Sequence, residues 1–168
     1  MGIDGPRTEL RFVPTTESDR TYIARLNFLT DTFGDEFGDL PDDFDQWVDY
    51  YVDTWQPENG GLIAWKGNVP AGGAWLLWGT DDEHGFGHVI EGVPEVAIAV
   101  ERRYAGLNIG AQLLEAAADM ARAAGAPAIS LSVAPENERA RRLYVRLGYE
   151  PTGKVVEGHC VMMKQFAV

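Results

Sequence analysis

The chain has 168 residues, a formal net charge of −12, 45% apolar residues and a single cysteine. That length suits one compact domain with a real core, and the lone Cys160 excludes an internal disulfide framework. No stretch approaches the length of a membrane span or carries a basic-plus-apolar leader, so the expectation is one domain over 1–168 in the cytoplasm.

In chain order, residues 10–13 read as a first strand. Thr16-Glu17-Ser18-Asp19 reads as a helix start with acids in its first turn, and Ile23, Leu26, Phe28 and Leu29 supply that helix with apolar positions. Gly34 and Gly38 break it. A second helix starts at Pro41-Asp42-Asp43, with Phe44, Trp47, Val48, Tyr51 and Trp55 at helical spacing. Gly60-Gly61 and Gly67-Asn68 bracket a strand over 62–65, a hairpin signal. The returning strand covers 69–78, with a bulge expected at Gly72-Gly73. Residues 79–94 form a Gly-rich loop holding His84 and His88. Their i, i+4 spacing would suit a metal only on a helix, and the intervening glycines argue against one, so no metal is expected.

Residues 95–114 read EVAIAVERRYAGLNIGAQLL. A short apolar strand over 96–100 leads to a turn of small residues, Ala105-Gly106-Leu107-Asn108-Ile109-Gly110. A helix follows, with Ile109, Leu113, Ala117, Met120 and Ala124 on one face and Gly125 at its end. Such a turn presents free N–H donors and the positive end of the helix dipole, which suits phosphate. Gly110 is followed by Ala111-Gln112, so this is not a P-loop. A dinucleotide fingerprint would need a third glycine and an acid closing the next strand, and 129–133 ends in Ala134-Pro135. Beyond that strand stand Asn137, a short helix carrying Tyr144, and Leu147-Gly148-Tyr149. Strands over 154–156 and 159–166 close the chain, with Gly158 in their turn.

These two blocks, 95–114 and 129–150, resemble the acyl-CoA-binding half of the GNAT superfamily of N-acyltransferases. The resemblance is close over 95–150 and extends in outline over 8–166. In that family the turn follows Gln/Arg-x-x-Gly-x-Gly/Ala. Here Ala105 and Asn108 depart from the pattern while Gly110 matches. Asn tolerates left-handed backbone angles, and the family's phosphate contacts are mostly backbone N–H groups. Leu107 stands where many members carry a basic side chain. The resemblance implies a mixed, mostly antiparallel α/β (α+β) sheet with splayed middle strands and flanking helices. It also implies an acceptor-side half over about 8–94 and an acyl-CoA half over about 95–166. The implied co-substrate is acetyl-CoA or another acyl-CoA, held by Ile98, Ala99, Val100, Ala105, Gly106, Leu107, Asn108, Ile109, Gly110, Ala111 and Asn137.

The implied reaction is direct attack of a primary amine on the thioester, with a backbone N–H near Val100 stabilising the oxyanion. Periodicity alone makes Tyr144 a core tyrosine; the resemblance places it beside the cofactor sulfur, where a phenol can protonate a leaving thiolate. Asn137 reads as a helix cap or as a contact to the pantetheine arm. Glu95 could accept the amine proton, directly or through water, or be a solvated strand-end charge. Glu91, His84 and His88 are weaker alternatives. Cys160 reads as a small apolar filler.

The charge is uneven: residues 1–60 carry net −10 and residues 101–168 net +2. Such a field attracts cationic small molecules and repels nucleic acid, or it is simply a soluble acidic surface. Arg102, Arg103, Arg139, Arg141, Arg142 and Arg146 gather where phosphates would sit. On the acceptor side, Phe33, Asp35 and Glu36 are the expected rim for a cationic amine. The expected partner is thus a small-molecule amine, with no nucleic acid and no membrane, and a homodimer stays open. Acetylation of a protein N-terminus or lysine, and a non-catalytic acyl-CoA sensor, are the alternatives.

Overall fold

The computed structural model describes residues 10–32 and 35–167. Strand β1 (Leu10–Pro14) leads to Thr16, whose N–H donates to Asp19 Oδ2 at 2.8 Å, and a single 3-10 turn leads into α1 (Arg20–Thr32). A short α2 (Phe44–Val48) continues into one π-helical turn, Asp49–Asp53. Then come β2 (Gly61–Lys66), β3 (Val69–Leu77), β4 (Glu95–Val100), α3 (Ile109–Ala123), β5 (Ala128–Val133), α4 (Glu138–Arg146), β6 (Glu150–Val156) and β7 (His159–Gln165).

The seven strands form one mixed sheet in the order β1-β2-β3-β4-β5-β7-β6. Every neighbouring pair is antiparallel except β4 and β5, which run parallel and share a single rung, Glu95 opposite Ser130. The Ser130 N–H donates to the Pro94 carbonyl at 3.0 Å beside that rung. Beyond it the two strands diverge, so the middle of the sheet opens.

Alternation along the strands divides the apolar residues between two layers. Leu62, Ala64, Leu76, Val96, Ile129 and Leu131 pack with α3 and Tyr144 on one face. Ile63, Trp75 and Leu77 pack with Ile23, Leu26 and Leu29 of α1 and with Tyr51 on the other. Among the described residues no helix is long and apolar enough to cross a membrane.

Three local expectations shift. The β2–β3 pairing steps from Ala64–Gly72 to Trp65–Pro70, so the extra residue is Ala71, one place before the expected bulge. The last hairpin starts at Glu150 rather than 154: Pro151 and Gly153 mask the strand pattern, but β6 is an edge strand, where proline is tolerated. The helix after Pro41 does not run unbroken to Trp55, because the π turn changes its phase after Val48.

A buried clamp ties α1 to the end of β4. The Glu101 carboxylate accepts from the Tyr22 hydroxyl at 2.6 Å and from Arg25 Nε and Nη2 at 2.9 and 2.7 Å. Its own N–H donates to the Ala71 carbonyl at 2.9 Å. The turn that leads to α3 therefore starts from a fixed point.

Candidate active site

The divergence of β4 and β5 opens a cleft of about 950 Å³. Ile98, Ala99 and Val100 of β4, Ala105 and Gly110 of the following turn, and Asn137, Leu143 and Tyr144 line one part of it. Glu95, Tyr51, Phe86, Trp47, Asp31 and Asp43 line another, and Arg102 and Arg139 also face it.

The turn before α3 is shaped by two left-handed residues, Gly106 at φ +85° and Asn108 at φ +63°. Asn108 caps the helix through its backbone, its carbonyl accepting from the Gln112 N–H and side-chain amide at 3.3 and 3.1 Å. The first N–H groups of a helix have no carbonyl partner within it, so the start of α3 presents its donors at the cleft end where Gly110 stands. A Cβ at Gly110 would lie 3.5 Å from Leu143 Cδ2 and 3.8 Å from Val100 Cγ2, so there is room for a methyl group and little more. The Ile109 and Ala111 side chains are buried in the core. Gly106, Leu107 and Asn108 lie outside the cleft lining, and Leu107 is half exposed. The Asn137 side chain caps α4, accepting from the Ala140 N–H at 3.2 Å, and also lines the cleft.

Tyr144 is buried on the α3–α4 face, its ring 6.0 Å from that of Tyr149. Among the described residues its hydroxyl makes no hydrogen bond, and burial pushes its pKa up to about 12. The phenol therefore stays protonated across the physiological range.

Glu95 comes from the opposite face. It is 4% exposed at the head of β4, with Oε2 accepting from the Tyr51 hydroxyl at 2.7 Å. Among the described residues Oε1 has no hydrogen-bond partner. Burial raises its carboxyl to about 7, against the pull of the hydrogen bonds from Tyr51 and from the Gly87 backbone. The 79–94 loop packs onto this pair. The Phe86 N–H donates to the Tyr51 hydroxyl at 2.9 Å, and a Cβ on Gly85 would collide with the Tyr51 hydroxyl and Glu95 Oε1. Sequence reasoning reads Tyr51 only as an apolar helix position; no local signal marks its contact with Glu95, 44 residues on.

The weaker candidates for a base lie outside the cleft lining. His84 stacks on His88 at 4.5 Å. His88 Nε2 lies 3.0 Å from Asp81 Oδ1, and Glu91 Oε1 accepts from the Asp81 N–H at 3.1 Å. Among the described residues no group of three or more potential ligands could hold a metal.

On the acceptor side the expected rim is displaced. Phe33 lies outside the described residues. Glu36 is paired with Arg25, and Asp35 Oδ1 accepts from the Phe37 N–H at 2.9 Å; neither lines the cleft. Besides Glu95, the acids that do are Asp31, Asp39, Asp43 and Glu157, with Glu136 beside Asn137. Trp47 bonds Asp43 through Nε1 at 3.1 Å and packs on Phe86 at 4.4 Å, and Phe86 stacks on His159 at 5.1 Å. Burial raises Asp31 to about 6, and the negative charge of Asp43 adds to it while His159 opposes it.

Comparison with known proteins agrees with this architecture. A family model described as the acetyltransferase (GNAT) family matches residues 25–149. A mycothiol acetyltransferase of Corynebacterium aurimucosum is 32% identical over 94 residues, 56% of this chain; the match spans 28% of that longer protein. A GCN5-related N-acetyltransferase from Kribbella flavida shares the fold with a TM-score of 0.69 at 18% identity, over 96% of this chain and 99% of that one. The PaiA N-acetyltransferase from Thermoplasma acidophilum, solved in complex with coenzyme A, gives 0.67 at 13% identity, over 94% and 99%.

Proposed function

The chain belongs to the GNAT acetyltransferase family, and from that premise we propose that it is a single N-acyltransferase domain that moves an acetyl group from acetyl-CoA to the primary amine of a cationic small molecule. The observation that carries this reading is the shared cleft: one opening in the sheet is lined by the turn before α3, by a buried phenol and by a buried carboxylate with one free oxygen.

The residues fit acetyl-CoA. The N–H groups at the start of α3 suit its phosphates, Arg102 and Arg139 add positive charge, and the diverging flanks of β4 and β5 leave backbone groups free to pair with an amide-bearing arm. When bound, acetyl-CoA supplies the activated thioester carbonyl. The remaining steps belong to the protein. An ammonium has no lone pair, so Glu95 Oε1 takes a proton from the amine; a carboxyl near 7 is matched to that task. A β4 backbone N–H near Val100 donates to the carbonyl oxygen as charge develops there. The Tyr144 hydroxyl donates its proton to the departing sulfur.

Asp31, Asp39 and Asp43, together with the Trp47–Phe86 wall, support a cationic acceptor. The test measures thiol release from acetyl-CoA with a panel of cationic and uncharged amines at low and high salt. The expected result is turnover with cationic amines, falling with salt and weakened by Asp31→Asn with Asp43→Asn. Equal salt dependence for charged and uncharged amines would remove the cationic acceptor, and no thiol release from any amine would remove the activity.

A further inference from the structure

We propose that Tyr51 is the positioning residue of the acceptor-side carboxylate: its hydroxyl, fixed by the Phe86 N–H, holds Oε2 of Glu95 and leaves Oε1, buried and unbonded, as the oxygen that takes the amine proton, directly or through water. This rests on the reading of Glu95 as the base.

Three observations converge on it. The first is hydrogen-bond accounting. The Tyr51 hydroxyl accepts from the Phe86 N–H at 2.9 Å and donates to Glu95 Oε2 at 2.7 Å. With the amide approaching from the 79–94 loop, the hydroxyl proton is committed to Glu95. The two carboxylate oxygens become inequivalent, one held and one without a partner.

The second is the backbone. Tyr51 sits in the π turn Asp49–Asp53, an irregularity often found at functional sites. Tyr50 and Tyr51 meet edge to face at 5.1 Å, and the Trp75 indole N–H donates to the Tyr51 carbonyl at 2.9 Å. The Tyr51 backbone is thus fixed, and its ring packs against Tyr50.

The third is space. Gly85 and Gly87 bring the loop so close that a Cβ at either would strike the pair: Tyr51 and Glu95 Oε1 from Gly85, and Glu95 Cγ and Oε2 from Gly87, at 2.9 Å each. The loop is anchored in turn by Ser130 Oγ, which donates to the Gly87 carbonyl at 2.6 Å.

Few titratable groups face Glu95. Tyr51 bonds it, and Tyr50 feels its charge. From the loop, His84 is stacked on His88, whose Nε2 is engaged with Asp81. From β5 the opposing residue is Ser130, which carries no charge. Tyr51 is therefore the side chain whose hydrogen bond favours the ionised carboxylate, beside the backbone of Gly87, and losing it must raise the Glu95 midpoint.

Tyr51→Phe removes only the hydroxyl. The first readout is the carboxyl titration of Glu95 by 13C NMR in protein carrying labelled glutamate, with the signal assigned from its absence in Glu95→Gln. The expected result is a midpoint about one pH unit higher in Tyr51→Phe; an unmoved midpoint overturns the proposal. The second readout is a double-mutant cycle on kcat/KM, using acetyl-CoA and the amine turned over fastest in the panel. Tyr51→Phe should slow the wild type about tenfold and have no further effect in Glu95→Gln. An equal loss in both backgrounds overturns the proposal, because Tyr51 would then act other than through Glu95. A fully active Glu95→Gln with a shifted midpoint in Tyr51→Phe would instead overturn the assignment of Glu95 as base.

Discussion

Replacing Glu101 by Gln isolates the clamp between α1 and the turn that leads to α3. Glu101 is 4% exposed and accepts hydrogen bonds from Tyr22 and, twice, from Arg25. The amide keeps the shape and an acceptor for Tyr22, but it turns an N–H₂ toward a guanidinium. Removing one partner of a buried ion pair costs about 3–5 kcal/mol. Arg25 is 38% exposed and keeps Glu36, so water and that carboxylate recover part of the loss. The expected destabilisation is about 2–3 kcal/mol, which lowers Tm by roughly 4–12 °C in a chain of this length. The Arg25 guanidinium holds the Glu101 carboxyl below its usual range. Its contribution is therefore present in full above the ordinary carboxylate range and is lost as pH falls through the folded value. Urea unfolding of both proteins at about pH 7 and about pH 3 measures this, provided the m-values agree. A difference below about 0.5 kcal/mol at neutral pH, or one that does not narrow in acid, refutes the reasoning.

Excess CoA should raise the wild-type Tm, adding about 2.7 kcal/mol at a hundredfold excess over Kd. In Gly110→Glu the shift should vanish, because the site tolerates little beyond a methyl group and the new charge repels phosphate; a preserved shift would detach the turn from cofactor binding. Tyr144→Phe should keep CoA affinity, read by calorimetry, while turnover falls about 10²-fold or more; a normal rate assigns Tyr144 to packing. Glu95, raised from 4.5 to about 7, stays protonated in the folded chain after the unfolded chain has released its proton. That group makes stability fall as pH rises from 4.5 to about 7, and Glu95→Gln should gain about 3 kcal/mol on the wild type across that window. Equal differences at both ends would show that Glu95 titrates normally.

The element order and the layered sheet were legible because period-2 strands and the apolar stripe of α3 are local signals. The left-handed turn was legible for the same reason, since Asn108 and Gly106 carry its backbone angles in their own chemistry. The acceptor side was not. Acids are dense over 31–53 and look alike in sequence; what separates Asp31 and Asp43 from Glu36 is that Arg25 captures Glu36. Tyr51 was hidden by a π turn that a helical period cannot anticipate, and β6 by an edge strand's tolerance for proline.

The single rung between β4 and β5 gives this sheet four lateral borders instead of two. Beside the outer borders at β1 and β6 lie two inner ones, facing each other across the cleft. Alternate amides over 97–100 point away from β3 into that gap, so hydrogen exchange across the sheet should be discontinuous: slow where β3 holds β4, fast along the opposed flanks, slow again where β7 holds β5. An unpaired strand flank in the centre of a fold is also a template for a stray chain. The protein without its cofactor thus carries its most adhesive backbone in the middle of the molecule, and a ligand that fills the gap would protect the fold from association as well as from heat.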